Sequence, residues 1–333
     1  MNSGLPVFEN GKLVAREWNR VQGPYLQVRN CDLLWNLTQQ ALVHYQFTQL
    51  ANTPVLYCVA SNNGVSAGLS DRSLWLSLWG EIPAGQEDDF INELLDLTRR
   101  EGKSRCSIGG DEFHFVPGVP LESKANERLL RSLAKNDFKI AEACDFVGDI
   151  ESETVSKYID EALKNSRSEG WQLKAALSDA EKEELHAFLK TEFPGRWTRE
   201  FEFFLKSETT KRAIWSSLRN QTNEICGFAR IAVRNRSLPI DEGWTPGALR
   251  LPLVPDRNSA WSPTDGCLGP IGIAASQRGK GTGRILLGLT LNSLRLNQAK
   301  LTCIDWTDAM KYYQPLQFKV VRRYGTAWRA LAP

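Results

Sequence analysis

The chain contains three histidines, seven cysteines without a single C-x-x-C pair, and almost no net charge. It also lacks any apolar run near the roughly 20 residues that a membrane span needs. Each shortage excludes something. Cys31, Cys58, Cys106, Cys144, Cys226, Cys267 and Cys303 are odd in number and widely dispersed, several inside apolar strands. They read as buried reduced thiols rather than as disulfides or a zinc site. His44, His114 and His186 stand far apart and read as packing or surface residues, so no metal is expected. A formal charge of +2 is too small to draw the chain to nucleic acid or to a membrane surface. The first residues, Met1-Asn-Ser-Gly-Leu-Pro6, carry neither the charge nor the apolar core of a signal peptide, which makes the cytoplasm the expected location.

What is present is an ordinary globular composition over 333 residues, enough for about two domains. The most informative stretch runs Ile271-Gly-Ile-Ala-Ala-Ser-Gln-Arg-Gly-Lys-Gly-Thr-Gly-Arg284 and joins a short apolar strand to an amphipathic helix. Glycines allow backbone N–H groups to converge, the first helical turn leaves donors unpaired, and the helix dipole adds roughly half a positive charge. Together with Arg278, Lys280 and Arg284, they predict a pyrophosphate cradle. It is not a Walker A loop, because Lys280 is followed by Gly281 rather than Ser or Thr. Nor is it a Rossmann fingerprint, since the glycines run G-x-G-x-G at 279, 281 and 283, late in the chain, and the nearest downstream acid, Asp305, comes late.

The spacing that fits is Arg-x-x-Gly-x-Gly, at Arg278, Gly281 and Gly283. Downstream come a helix with Leu286, Leu287, Leu291 and Leu294, an apolar strand over 301–307, an Asp308 placed to cap a short helix, then Tyr312, Tyr313 and Leu316-Gln-Phe318. This order resembles the acyl-CoA half of the GCN5-related N-acetyltransferases, the GNAT superfamily. The resemblance implies an α/β fold with a mixed, splayed central sheet flanked by helices. It also implies acetyl-CoA as cosubstrate. Its pyrophosphate would be held by Arg278, Gly279, Lys280, Gly281, Thr282, Gly283 and Arg284, and its pantetheine amides by backbone groups of Ile271 and Ile273 with Gly272 between them. Tyr313 becomes the general acid, with Tyr312 as its alternative. Two departures weigh on the aim of Tyr313: Gln317 stands where the family usually has glycine, and Pro315 follows close behind the tyrosine.

Upstream, the rest of the C-terminal half follows the same order. A strand is predicted over 171–177, and Ser178-Asp-Ala-Glu181 is a capping box opening a helix through Phe193. Phe193-Pro-Gly-Arg-Trp197 breaks that helix and Thr198 starts another. Strands follow over 211–218 and 225–233, then a proline-rich excursion over 234–263. The resemblance therefore covers roughly residues 168–333.

The N-terminal half reads as a worn copy of the same unit. Strands over 74–78 and 104–108 alternate with helices over 88–100 and 126–136, a Pro- and Gly-rich insertion lies around 115–121, and Phe138-Lys-Ile140 echoes Phe318-Lys-Val320. Where the second half has its basic loop, the first has Glu81-Ile-Pro-Ala-Gly-Gln-Glu-Asp-Asp89. Acids at a helix start satisfy the dipole themselves and repel a pyrophosphate. The expectation is two tandem GNAT-like domains, a degenerate one over 1–150 and a catalytic one over 151–333.

Two such domains, with Leu268-Gly-Pro-Ile-Gly-Ile-Ala274 and the segment Ile304-Asp-Trp-Thr307, look like the bacterial glucosamine and glucosaminide N-acetyltransferases. That implies a small-molecule amine, an amino sugar, as acceptor. Acyl transfer to an amine needs a proton for the leaving thiolate, which a phenol with a pKa near 10 can give. Asp305, ending a strand, could accept the ammonium proton or only orient a hydroxyl. Sugars present apolar faces to aromatic rings and hydroxyls to carboxylates, so Trp197, Glu200, Glu202 and Trp306 are suitable contacts. Another small amine, such as an aminoglycoside or a cysteinyl sugar, and a non-catalytic acyl-CoA sensor both remain open at this point.

Overall fold

The computed structural model describes residues 43–60, 72–110, 116–123, 126–175, 177–206, 213–234, 253–255 and 261–331, with several positions between 14 and 21. Two compact units divide the chain. The first holds Met1–Cys144, Pro246–Leu251 and Arg322–Pro333, and the second Asp145–Thr245 and Pro252–Val321.

In the first unit, β1 (Val43–Leu50) and β2 (Thr53–Ala60) form an antiparallel hairpin, and β3 (Ser73–Trp79) pairs antiparallel with β2. Helix α1 (Glu87–Arg100) then crosses over to β4 (Arg105–Ile108), which lies parallel to β3. A short β5 (Val119–Pro120), α2 (Glu127–Lys135) and β6 (Lys139–Asp149) follow. Strands β2, β3 and β4 are buried almost continuously rather than on alternate residues, and the spacing of Phe90, Ile91, Leu94 and Leu95 gives α1 a continuous buried face. At about 2 kcal/mol for each fully buried large apolar side chain, this face stabilises the crossover far more than helix propensity does.

The second unit repeats the order. Helix α3 (Glu153–Glu169) leads to β7 (Gln172–Lys174), α4 (Asp179–Glu192) and α5 (Arg196–Lys206). Then β8 (Ala213–Arg219) and β9 (Ile225–Val233) form the hairpin, paired at a turn where Asn223 takes a left-handed φ of 66°. A small antiparallel ribbon joins β10 (Leu253–Pro255) to β11 (Trp261–Pro263); the rest of the proline-rich excursion over 234–263 lies largely outside the described residues, as do Cys31 and His114. Strand β12 (Gly266–Ile273) adds antiparallel to β9, α6 (Thr282–Leu296) crosses over, and β13 (Leu301–Thr307) returns parallel to β12. After α7 (Met310–Tyr313), the last strand β14 (Lys319–Ala330) begins in the second unit; its later residues pair with β4 and β5 in the first. Hairpin, third antiparallel strand, crossover helix, parallel strand is thus the order in both units, a mixed sheet flanked by helices.

Adjacent residues of β9 serve opposite faces of its sheet. Phe228 packs with Leu185, Leu189, Phe201 and Trp215 beneath α4 and α5. Ala229 packs with Leu218, Ile285, Leu286 and Leu289 beneath α6. Helix α6 is apolar over more than one face because a second neighbour needs covering: a Cβ on Gly288 would fall 2.2 Å from the Ala162 Cβ of α3. The glycine is what lets the two helices touch.

Most expected elements appear with small shifts at their ends, but the strand expected over 171–177 is cut to Gln172–Lys174. Helix α5 starts at Arg196 rather than Thr198, directly after Gly195 at φ 133°. The Ser178 box forms in full: Ser178 Oγ accepts the Glu181 N–H and Glu181 accepts the Ser178 N–H.

Candidate active site

The two parallel strands of the second unit pair only at their start. Gly266, Cys267 and Leu268 lie opposite Thr302, Cys303 and Ile304, and there the ladder stops. A bulge at Gly269 and Pro270 turns β12 away, while Ile271, Gly272 and Ile273 stay paired to β9. Gly269 has a φ of 141°, and a Cβ there would sit 3.3 Å from Asp305 Oδ1. Asp305 thus faces the bulge across the mouth where the strands separate.

The loop beyond Ile273 is held at both ends. Ala274 N–H donates to Cys226 O, Ala275 N–H donates to a Glu192 carboxylate oxygen at 2.8 Å, and Arg278 Nε reaches back to Ile273 O at 3.2 Å. Between these ties and the first turn of α6, the N–H groups of Gly279, Lys280, Gly281, Thr282 and Gly283 find no acceptor among the described residues. Gly281 caps the helix at φ 86° without any side-chain cap, Gly279 has φ 77°, and a Cβ on either would meet nothing within 4 Å. Exposed Arg278, Lys280 and Arg284 surround these donors. Such an arrangement binds an anion.

Next to the loop stand three phenols. Tyr312 packs edge-on against Tyr313, with ring centroids 4.9 Å apart, and its hydroxyl donates to Gly283 O. Tyr313 is buried against Phe146 of β6 at 5.9 Å. Burial raises its phenol well above the usual tyrosine range, and the charges of Asp305 and Asp308 raise it further. Tyr312 is raised by burial, then by Tyr313 and Tyr158. Tyr158 of α3 completes the group, raised by burial with Arg284 beside it opposing the rise.

The short tyrosine helix differs from its expectation in one respect. Asp308 does not cap it: Thr307 Oγ1 accepts the Ala309 N–H, and Asp308 contributes its backbone carbonyl to Met310 N–H. Both departures in this region find a physical resolution. Pro315 sits in a single 3₁₀ turn over Gln314–Leu316, after α7 has ended, where its missing N–H costs nothing. Gln317 adopts the left-handed conformation itself, at φ 56°, and its side chain accepts a hydrogen bond from Thr154.

On the far side of Asp305, Trp306 has a left-handed φ of 42°, and its N–H donates to Asp145 Oδ1 at 2.8 Å. The Arg196 guanidinium covers its ring at 4.4 Å. Arg196 also pairs with Glu200 at 2.9 Å, and Arg230 of β9 approaches the same carboxylate at 3.5 Å. Trp197 lies 5.3 Å from Phe193 and 5.5 Å from Phe228, in an aromatic cluster whose Phe193 and Phe228 rings crowd Gly272 of β12. Glu202 hydrogen-bonds His186 Nε2 at 2.8 Å. Asp305 and Trp306 are thus consecutive at the mouth, and Tyr313 packs on Tyr312 beside the first turn of α6, while Trp197 packs on Phe193 and Phe228 and Glu202 on His186. Asp145, Arg196 and Tyr158 were not singled out from sequence. Only Asp145 carries a signal, an acid inside the apolar run Ala143-Cys-Asp-Phe-Val147.

No protein-family model matches this sequence, and no curated protein matches it. Among solved structures, it is similar to a GCN5-related glucosamine N-acetyltransferase region of a fungal multi-domain GH3 beta-N-acetylglucosaminidase, with a TM-score of 0.72 at 16% identity over 95% of this chain. The chain spans 36% of the length of that protein. A GCN5-related N-acetyltransferase from Sphaerobacter thermophilus aligns at 11% identity and a TM-score of 0.48, over 84% of this chain and 81% of that one. A GNAT family acetyltransferase from Brucella melitensis, in complex with acetyl-CoA, aligns at 15% identity and 0.31, over 49% and 89%. The likeness is one of fold: the chain has the mixed α/β architecture of the GNAT acetyltransferases.

Proposed function

We propose that this chain is an acetyl-CoA-dependent N-acetyltransferase acting on the amine of glucosamine or a glucosaminide in the cytoplasm. One observation carries the reading: Asp305 stands where β12 and β13 part, with its charge felt by the Tyr313 phenol, beside a basic loop with unpaired backbone donors. The loop residues suit a diphosphate, because the open space over Gly279 and Gly281 leaves the surrounding N–H groups accessible. Arg278, Lys280 and Arg284 supply charge there, and the free edge of Ile271–Ile273 offers backbone groups to an amide-bearing arm.

Acetyl-CoA supplies an acetyl thioester. Asp305 takes one proton from the acceptor ammonium, directly or through water, so that the freed lone pair forms the new N–C bond, and the second proton shed by that nitrogen restores the Tyr313 hydroxyl. Tyr313 gives its proton to the sulfur as the C–S bond breaks. Its raised phenol keeps that proton through neutral pH, and its hydroxyl accepts no competing hydrogen bond among the described residues. The amino-sugar acceptor is supported by the glucosamine N-acetyltransferase region with which nearly the whole chain aligns.

We assign this work to residues 151–333 and a scaffold role to residues 1–150. Glu87 accepts the Gly85 N–H at 2.9 Å at the start of α1 and pairs with Arg128, while Asp88 engages Ser132, Lys135 and Asn136. The helix start that would face a diphosphate is thus occupied by the chain's own carboxylates. Thiol release from acetyl-CoA, followed on adding glucosamine and chitooligosaccharides, tests the reading. Stimulation supports it, and no response to any amino sugar would sink the acceptor assignment.

A further inference from the structure

The β12–β13 ladder ends at Leu268 and Ile304, so no partner strand on that side fixes the path of Asp305 and Trp306. Yet Trp306 holds a left-handed φ of 42°, a conformation that a bulky residue avoids. Such a bend persists only where its surroundings impose it. Two contacts do so. The Asp145 carboxylate, with no exposure to solvent, accepts the Trp306 N–H at 2.8 Å, and the Arg196 guanidinium lies over the indole. Asp145 and its neighbour Phe146 on β6 touch both sides of the mouth, because the Phe146 ring packs against Tyr313.

We propose that Asp145 is a positioning residue. By accepting the Trp306 N–H it holds the bend directly after Asp305, and so keeps the Asp305 carboxylate against Gly269 at the opening of the two strands. This inference rests on the acyl-transfer reading of Asp305. It goes beyond that reading by assigning the aim of the proposed base to a strand outside the cofactor motif.

Thiol release is to be measured for the wild-type chain, Asp145→Ala and Asp145→Asn, with kcat and KM for each substrate, a calorimetric CoA titration and a melting curve. Misplacing a reacting group by about 1 Å can cost about 100-fold in rate. The expected result is a kcat about 100-fold lower in Asp145→Ala, with CoA affinity held within about threefold, and recovery to within about tenfold of wild type in Asp145→Asn, which keeps an oxygen acceptor. A kcat in Asp145→Ala within about threefold of wild type overturns the inference, and so does an asparagine variant no better than alanine. If the alanine variant is unfolded at assay temperature, Asp145→Ser, whose shorter side chain draws the acceptor back, decides: a kcat well below that of Asp145→Asn at unchanged CoA affinity sustains the inference, and a kcat equal to it overturns it. A wild-type chain that releases no thiol with any amine overturns the acyl-transfer reading, and this inference with it.

Discussion

The Tyr312 hydroxyl donates to the backbone carbonyl of Gly283 at 2.5 Å, tying the tyrosine turn to the first turn of α6. That bond divides the work of two adjacent phenols. Tyr312 is committed to a tether, and its ring limits the space beside Gly283, where a Cβ would meet it at 3.3 Å. On the proposed mechanism Tyr313 is the one left to donate a proton. Tyr313→Phe is expected to lower kcat by about 100-fold or more, the usual range for a general acid, with little change in CoA affinity. Tyr312→Phe loses one hydrogen bond, worth about 1 kcal/mol of stability, and keeps kcat within a few-fold. Steady-state kinetics and melting curves on both variants separate the roles; equal losses of kcat would contradict the division.

The same two phenols set an alkaline limit. Both are raised above the ordinary value near 10, each chiefly by burial. A group raised in the folded state contributes stability that is intact below its unfolded pKa and is lost as pH rises above it. Unfolding free energy should therefore hold up to about pH 10 and fall beyond it, and the fall should be shallower in Tyr312→Phe. Denaturant titrations between pH 8 and 11 supply the measurement, and identical slopes in the variant and the wild type would count against it.

On the proposed reading, Arg278, Lys280 and the glycines would act on the cosubstrate by different physics. Gly281→Ala puts a Cβ into open space, so its cost is conformational, about 1 kcal/mol at φ 86°, and it weakens CoA binding roughly independently of salt. Arg278→Ala and Lys280→Ala remove charge, and each should weaken CoA binding about tenfold at low salt and less as ionic strength rises. Calorimetry at two salt concentrations distinguishes the two kinds of loss. The same titration should give one CoA per chain, because the acids of α1 already occupy the equivalent helix start in the first unit.

How much of this could be read from residues alone varies by element. The loop of 278–284, β13 and the Ser178 box were legible because each is local: spacing, alternation and capping act within a few residues of chain. The repeat of strand, helix and strand in the first unit was legible for the same reason. Trp306 under Arg196, and its N–H on Asp145, were not, since they join residues about 110 and 161 positions apart in sequence and depend on tertiary placement. Thr307 rather than Asp308 holds the next turn, a choice between adjacent hydroxyl and carboxylate that pattern does not resolve. Pro315 and Gln317 read as faults, and the chain accommodates them by closing with a 3₁₀ turn.

The capping box of α4 reaches the loop through the length of its helix. Ser178 and Glu181 fix the start of α4, and Glu192, its last residue, holds the Ala275 N–H ahead of the glycines. Hydrogen bonds from the Ser178 backbone, Lys174 and the Ser178 hydroxyl pull the Glu181 carboxyl down to about 2. A depressed carboxyl contributes stability that is present above its unfolded value, near 4.3, and is lost as pH falls toward 2. The melting temperature of Glu181→Gln should lie below that of wild type at neutral pH, and the two should converge as pH falls from about 5 to about 2. Ser178→Ala should cost about 1 kcal/mol at neutral pH through the lost cap. Because a frayed α4 also slackens Glu192, Ser178→Ala is expected to raise KM for acetyl-CoA by less than about threefold and to leave kcat unchanged. A melting difference that persists undiminished at pH 2 would mean that the Glu181 carboxylate is not what fixes the helix.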